Sequence, residues 1–120
     1  MITEGQIVLF KFLNTTQQED KLRPVLILRA LPSKFNDWLV CMISSQLHHF
    51  ITDFDEIISC DDIDFKESGL KMPSVIRASR LAVIDGNIIL GRLGKIDDVR
   101  LTRLKLNLCN WISKNNMAEV

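Results

Sequence analysis

The stretch Arg23-Pro24-Val25-Leu26-Ile27-Leu28 constrains this chain more than any other. Four apolar residues in a row, two of them β-branched, suit a buried strand. The run is too short for a helix of ordinary length. Proline has no N–H to give to a ladder, so its natural place is the first position of that strand. It also fixes its own φ and drives the preceding residue towards extended backbone. Arg23 is therefore held at the mouth of a buried strand, with its guanidinium restricted in direction.

Similar short apolar runs recur along the chain. Gly5 precedes "QIVLFKF", which predicts a first strand, and "PVLILRAL" predicts a second. Residues 13–22 are polar, lack Gly and Pro, and read as a long mobile connection. "DWLVCMISSQ" predicts a third strand that turns polar at its end, and "DFDEIIS" a short charged edge strand. Acids before Ile63 and Phe65 predict one helical turn, stopped by Gly69 as its C-cap. "PSVIRASRLAVID" predicts a strand bent near Ser79-Arg80, where its alternation breaks. Asp85-Gly86 or Gly86-Asn87 predicts a hairpin turn into "NIILGRLG". Asp97 then reads as the N-cap of a helix with Leu101, Leu104, Leu108, Trp111 and Ile112 on its apolar stripe, and Arg100, Arg103 and Lys114 off it. Several short strands and one closing helix predict a mainly β fold, a small bent antiparallel barrel with a C-terminal α-helix, in one domain over 1–120.

Charge narrows the function classes. The formal net charge is zero, which disfavours strong non-specific binding to long nucleic acid. The distribution is uneven, however. Seven acids lie between Asp53 and Glu67, and eight bases between Lys71 and Lys105. The acids lack the spacing of a calcium loop and read as a solvated face, so no metal site is expected. Three widely spaced cysteines, Cys41, Cys60 and Cys109, make neither a disulfide framework nor a zinc signature. With no leader pattern and no apolar run of membrane length, a cytoplasmic protein is expected.

Two places could carry chemistry. Arg23 offers a planar fork that matches phosphate oxygens. A plain ion pair with Glu19 or Asp20 explains it equally well. Ser44-Ser45-Gln46 puts three hydrogen-bonding side chains at the end of an apolar strand. Taken alone, that is an ordinary strand-to-loop transition. His48 and His49 are adjacent, and adjacent strand residues face opposite ways, so they read as loop or surface residues.

The order of "GQIVLFKF", "KLRPVLIL", "ISSQ", "GLKMPSVIR", "LAVID" and "LGRLGKID" before a final helix resembles the MazF/PemK family of toxins from toxin–antitoxin pairs. The resemblance runs over nearly the whole chain. It implies an SH3-like barrel, usually a homodimer, that cuts single-stranded RNA at selected sequences without metal or other cofactor. The ribose 2′-hydroxyl attacks phosphorus, giving a 2′,3′-cyclic phosphate and a 5′-hydroxyl. A cognate antitoxin blocks the RNA groove, and operator DNA is reached only through that antitoxin. By the same resemblance Arg23 matches the arginine of the K-x-R-P motif and Ser44 the threonine of Thr-Ser-Gln. Arg77 matches an arginine that acts with an aspartate two residues later, where this chain has Ser79. These three, Arg23, Ser44 and Arg77, are the implied catalytic residues. Lys11, Lys21, Ser45, Gln46 and Ser79 are the implied RNA contacts. The Ser44 and Ser79 departures favour a rival reading, a toxin-like binding protein that has lost catalysis. A second rival is a toxin of the related CcdB type that targets gyrase; the K-x-R-P motif favours the ribonuclease.

Overall fold

The computed structural model describes residues 1–12 and 21–114. Most of the expected polar connection lies outside the described residues. The elements are β1 (Gln6–Phe12), β2 (Lys21–Ala30), β3 (Asp37–Ser44), β4 (Glu56–Ile58), α1 (Phe65–Ser68), β5 (Ser74–Asp85), β6 (Ile89–Lys95) and α2 (Asp98–Ser113). The six strands form one antiparallel sheet in the order β4-β5-β3-β2-β1-β6. The sheet is barrel-like in class, and its ladder stays open, with β4 and β6 as edges.

The all-apolar run in β2 now has its reason. Leu26 and Leu28 enter one core cluster with Ile7, Cys41, Ile76 and, from α2, Leu101 and Leu104. Val25 and Ile27 enter a second cluster with Val8, Phe10, Val40 and Ile84. Alternate side chains serve opposite faces, and both faces are covered, so no position along 25–28 can be polar.

Pro24 is not the first residue of its strand, as the sequence suggested. β2 begins at Lys21, with Pro24 opposite Leu9 of β1. On its other side β2 meets β3 only from Val25, which faces Met42. Residues 21–24 thus have a single neighbouring strand, and the missing N–H of Pro24 costs no bond on the β3 side. β2 and β3 part at this point.

The bend in β5 is real and large. Cys41 pairs with Leu81 while Met42 pairs with Arg77, so Ala78, Ser79 and Arg80 bulge out of register. Asp55, itself buried, holds the bulge: it accepts from the Ser79 N–H at 3.1 Å and from the Ser79 hydroxyl at 3.2 Å.

Three expectations are corrected. β5 and β6 do not form a hairpin: a 3-10 turn at Gly86–Ile88 carries the chain away, and β6 pairs with β1 instead. The turn is fixed by the Asp85 carboxylate, which accepts from Asn87 N–H, and by the Gly86 N–H, which donates to the Asn36 carbonyl. The acidic segment is not simply a solvated face. Arg100 is 7 % exposed and is clamped by Asp64 at 2.8 Å, Glu56 at 3.0 Å and Asp62 at 3.2 Å. Arg103 also reaches Glu56, at 2.9 Å. Lastly, α2 buries Leu101 and Leu104, but Trp111 and Ile112 are exposed, the Trp111 ring lying 5.5 Å from that of Phe54 between centroids. Four turns of helix outrun the short barrel they pack against.

Gly69 ends α1 at φ 75°, as expected for a left-handed C-cap. It also abuts β6: a Cβ there would lie 2.3 Å from the Leu93 carbonyl oxygen, and one on Gly94 would lie 1.9 Å from that of Glu67. The two backbones touch through paired glycines. No helix among the described residues is long and apolar enough to cross a membrane.

Candidate active site

Where β2 and β3 part, a cavity of about 450 Å³ opens. Leu22, Arg23 and Pro24 form one wall, and Met42 to Gln46 another. Arg77 and Arg80 project from β5, and the segment of Leu70, Lys71 and Met72 leads in from α1. The bulge matters here. Without it, residues three apart on a strand would face opposite sides, and Arg77 and Arg80 could not both line one cavity.

Among the described residues four cations therefore line the cavity, Arg23, Lys71, Arg77 and Arg80, and no carboxylate does. The neutral total hides this because the acids sit elsewhere, holding Arg100 and Arg103. The Nε of Arg77 is buried and has no hydrogen-bond partner among the described residues. A buried guanidinium N–H left unpaired is costly.

Ser44 is half-buried at the end of β3. Its Oγ accepts the backbone N–H of Gln46 at 3.0 Å and lies 3.1 Å from Nδ1 of His49. Loss of hydration first, and then the positive charges of Arg77, His48 and Arg80, hold the His49 imidazole below its usual pKa. His49 belongs to a 3-10 turn, Leu47–His49, in which successive residues are about 120° apart rather than on opposite faces. Its ring lines the cavity while the exposed His48 does not. The sequence reading missed His49 because it treated the pair as a strand. The available signal was a polar turn beginning two residues after Ser44.

The structure thus brings Arg23, Ser44, Ser45, Gln46 and Arg77 to one cavity. It does not bring Ser79, Lys11 or Lys21 there. Ser79 is tied to Asp55, which places a carboxylate beside the bulge from another segment of the chain. Lys11 and Lys21 lie at the outer end of the β1–β2 ladder, one and two steps beyond the Phe10–Arg23 pair. Among the described residues no group of three or more His, Cys, Asp or Glu side chains could hold a metal ion.

Fold and site together define a small antiparallel β protein with a cationic, hydroxyl-bearing cleft at a strand junction. Residues 3–112 match the family described as PemK-like, MazF-like toxin of type II toxin-antitoxin system, and the chain belongs to that family. MazF-family toxins are generally endoribonucleases. Among solved structures, the chain is similar to an endoribonuclease in complex with its cognate antitoxin from a mycobacterial species. That match has 10 % identity and TM-score 0.66, and covers 96 % of this chain and 98 % of the other. It is also similar to the Mycobacterium tuberculosis toxin MazF-mt6, at 18 % identity and TM-score 0.62, with 92 % and 98 % covered. At these identities the likeness is one of fold. No sequence among curated proteins matches it.

Proposed function

We propose that this toxin is an endoribonuclease that cuts single-stranded RNA in the cleft between β2 and β3, using side chains and no metal. The observation that carries this reading is the convergence of Arg23, Ser44 and Arg77 on one cavity whose charged lining, among the described residues, is cationic. A phosphodiester seated there would meet the guanidinium groups of Arg23 and Arg77. As the 2′-oxygen attacks phosphorus, negative charge grows on the non-bridging oxygens. Fixed guanidinium forks stabilise that charge more than the ground state, which is what lowers the barrier. The Ser44 hydroxyl, its oxygen already held by Gln46 N–H, donates to one of the same oxygens. The P–O5′ bond breaks as the 2′ bond forms, leaving a 2′,3′-cyclic phosphate and a 5′-hydroxyl. Ser45, Gln46 and the β1–β2 arms carrying Lys11 and Lys21 flank the cleft and would contact neighbouring nucleotides. They set the sequence selected.

The same cleft suits an acidic extended segment, which is how a cognate antitoxin would block it. A homodimer would join two such clefts into one groove, and operator DNA would be bound through the antitoxin. The test is cleavage of a defined RNA by purified protein in EDTA, with 5′-end mapping. Cleavage that persists in EDTA and leaves 5′-hydroxyl ends is expected. Activity abolished by EDTA and restored by magnesium would overturn the reading.

A further inference from the structure

We propose that His49 is the base that takes the proton from the attacking 2′-hydroxyl, an inference that rests on the endoribonuclease reading above. The ring lines the cavity together with Arg23, Ser44 and Arg77. Its backbone is fixed on both sides: His49 N–H donates to the Gln46 carbonyl at 3.0 Å, and Phe50 N–H to Leu47 at 3.1 Å. None of the guanidinium groups can serve as the base, because arginine does not give up its proton in proteins.

Hydrogen-bond accounting gives the ring its orientation. A serine oxygen has one hydrogen and two lone pairs. One lone pair of Ser44 takes the Gln46 N–H. If Nδ1–H of His49 donates to the second, the Ser44 O–H is left for a phosphate oxygen and the His49 Nε2 lone pair is left as a base. Ser44 and His49 then divide the work: the hydroxyl holds the phosphate and the imidazole receives the proton.

The surroundings disfavour the protonated form of that base. Arg77 and Arg80 face it from β5, Arg23 from β2 and Lys71 from the segment after α1, with His48 beside it at 4.4 Å between ring centroids. Among the described residues no carboxylate lines the cavity to favour the imidazolium. The direction of the His49 shift, downward, agrees with this. In the step, the 2′-proton passes to Nε2, the O2′–P bond forms and the P–O5′ bond breaks. The departing oxygen takes a proton from water, and the imidazolium returns its own to the hydroxide that remains.

The experiment is single-turnover cleavage of an RNA oligonucleotide by wild type, His49→Ala, His49→Asn and His48→Ala, between about pH 5 and 9. Asn can still donate to Ser44 but cannot accept the proton. The wild-type rate should fall with unit slope below an apparent pKa lower than about 6.5. Both His49 variants should lose on the order of a hundredfold at neutral pH and lose that acid limb. His48→Ala should keep both, and all variants should bind the 2′-deoxy oligonucleotide within about threefold of wild type. If His49→Asn cuts at the wild-type rate, or if either His49 variant retains the acid limb, the proposal is overturned while the endoribonuclease reading stands. A wild type that cuts nothing at any pH overturns both.

Discussion

Replacing Arg100 by Ala should destabilise this protein more than almost any other single change. Arg100 is the buried counter-charge for a carboxylate that is itself 4 % exposed, Asp64. Its guanidinium donates to both Asp64 oxygens, at 2.8 and 3.2 Å, to Glu56 at 3.0 Å and to the Ile57 carbonyl at 3.0 Å. Without it, Asp64 still accepts the Asp97 N–H, at 3.0 Å, but has lost its bidentate cationic partner. Removing one partner of a buried ion pair costs about 3–5 kcal/mol, mostly because the other charge stays buried. For 120 residues the unfolding entropy is about 250 cal/mol/K, so Tm should drop by about 12–20 °C. The assay is thermal and urea unfolding at fixed protein concentration. Acid supplies a second signature. Burial alone would raise the Asp64 pKa, but the Arg100 hydrogen bond, the Asp97 N–H and the Arg100 charge outweigh it and hold the carboxyl below its usual value. A depressed folded pKa gives stability that is present above the unfolded value, about 3.9, and is lost as pH falls through the folded one. In the variant, burial remains and the counter-charge is gone, so Asp64 shifts upward and its cost fades on acidification. The gap between the two proteins should therefore narrow towards pH 4 and below. A gap under about 1 kcal/mol at pH 7, or one that widens in acid, refutes the reasoning.

Other outcomes follow from the geometry. Ser44→Ala should slow RNA cleavage about tenfold or more, while Ser44→Thr should match or exceed wild type, since a β-branched residue holds its hydroxyl in fewer rotamers; initial rates on one RNA decide it. Gly94→Ala should cost about 1–3 kcal/mol by urea unfolding, because its methyl would meet the Glu67 carbonyl and backbone there cannot yield as a side chain would. In thiol titration, Cys60 and Cys109 should react in the native protein, whereas Cys41, fully buried and with its thiol pKa pushed well up by burial and then by Asp55, should react only after unfolding.

Much of the fold was legible because its signals are local. The Val25–Leu28 run, Gly69 at the end of a helical turn, Asp97 before an apolar stripe and the broken alternation at Ser79-Arg80 each report their own backbone. The pairing of β6 with β1 was not legible. It depends on how far the sheet curls, and nothing near Gly86 records that. Nor was the burial of Arg100, because a cation beside an apolar stripe looks solvated until its three carboxylates arrive from residues 56–64. In the site, Arg23 and Ser44 stood out through the residues flanking them. His49 did not, because a 3-10 turn and a strand aim neighbouring side chains differently and the sequence offers both.

The Arg100 clamp also bears on how the chain comes to be folded as it is made. Glu56 leaves the ribosome 44 residues ahead of Arg100. Late in that interval the residues of the cleft, from Arg23 to Arg80, already exist, yet Asp64 still has no Arg100 to accompany it into the core. A nascent chain in that state favours an open, hydrated acidic segment over the packed one. Packing of the acidic segment is thereby favoured only once the last helix has arrived.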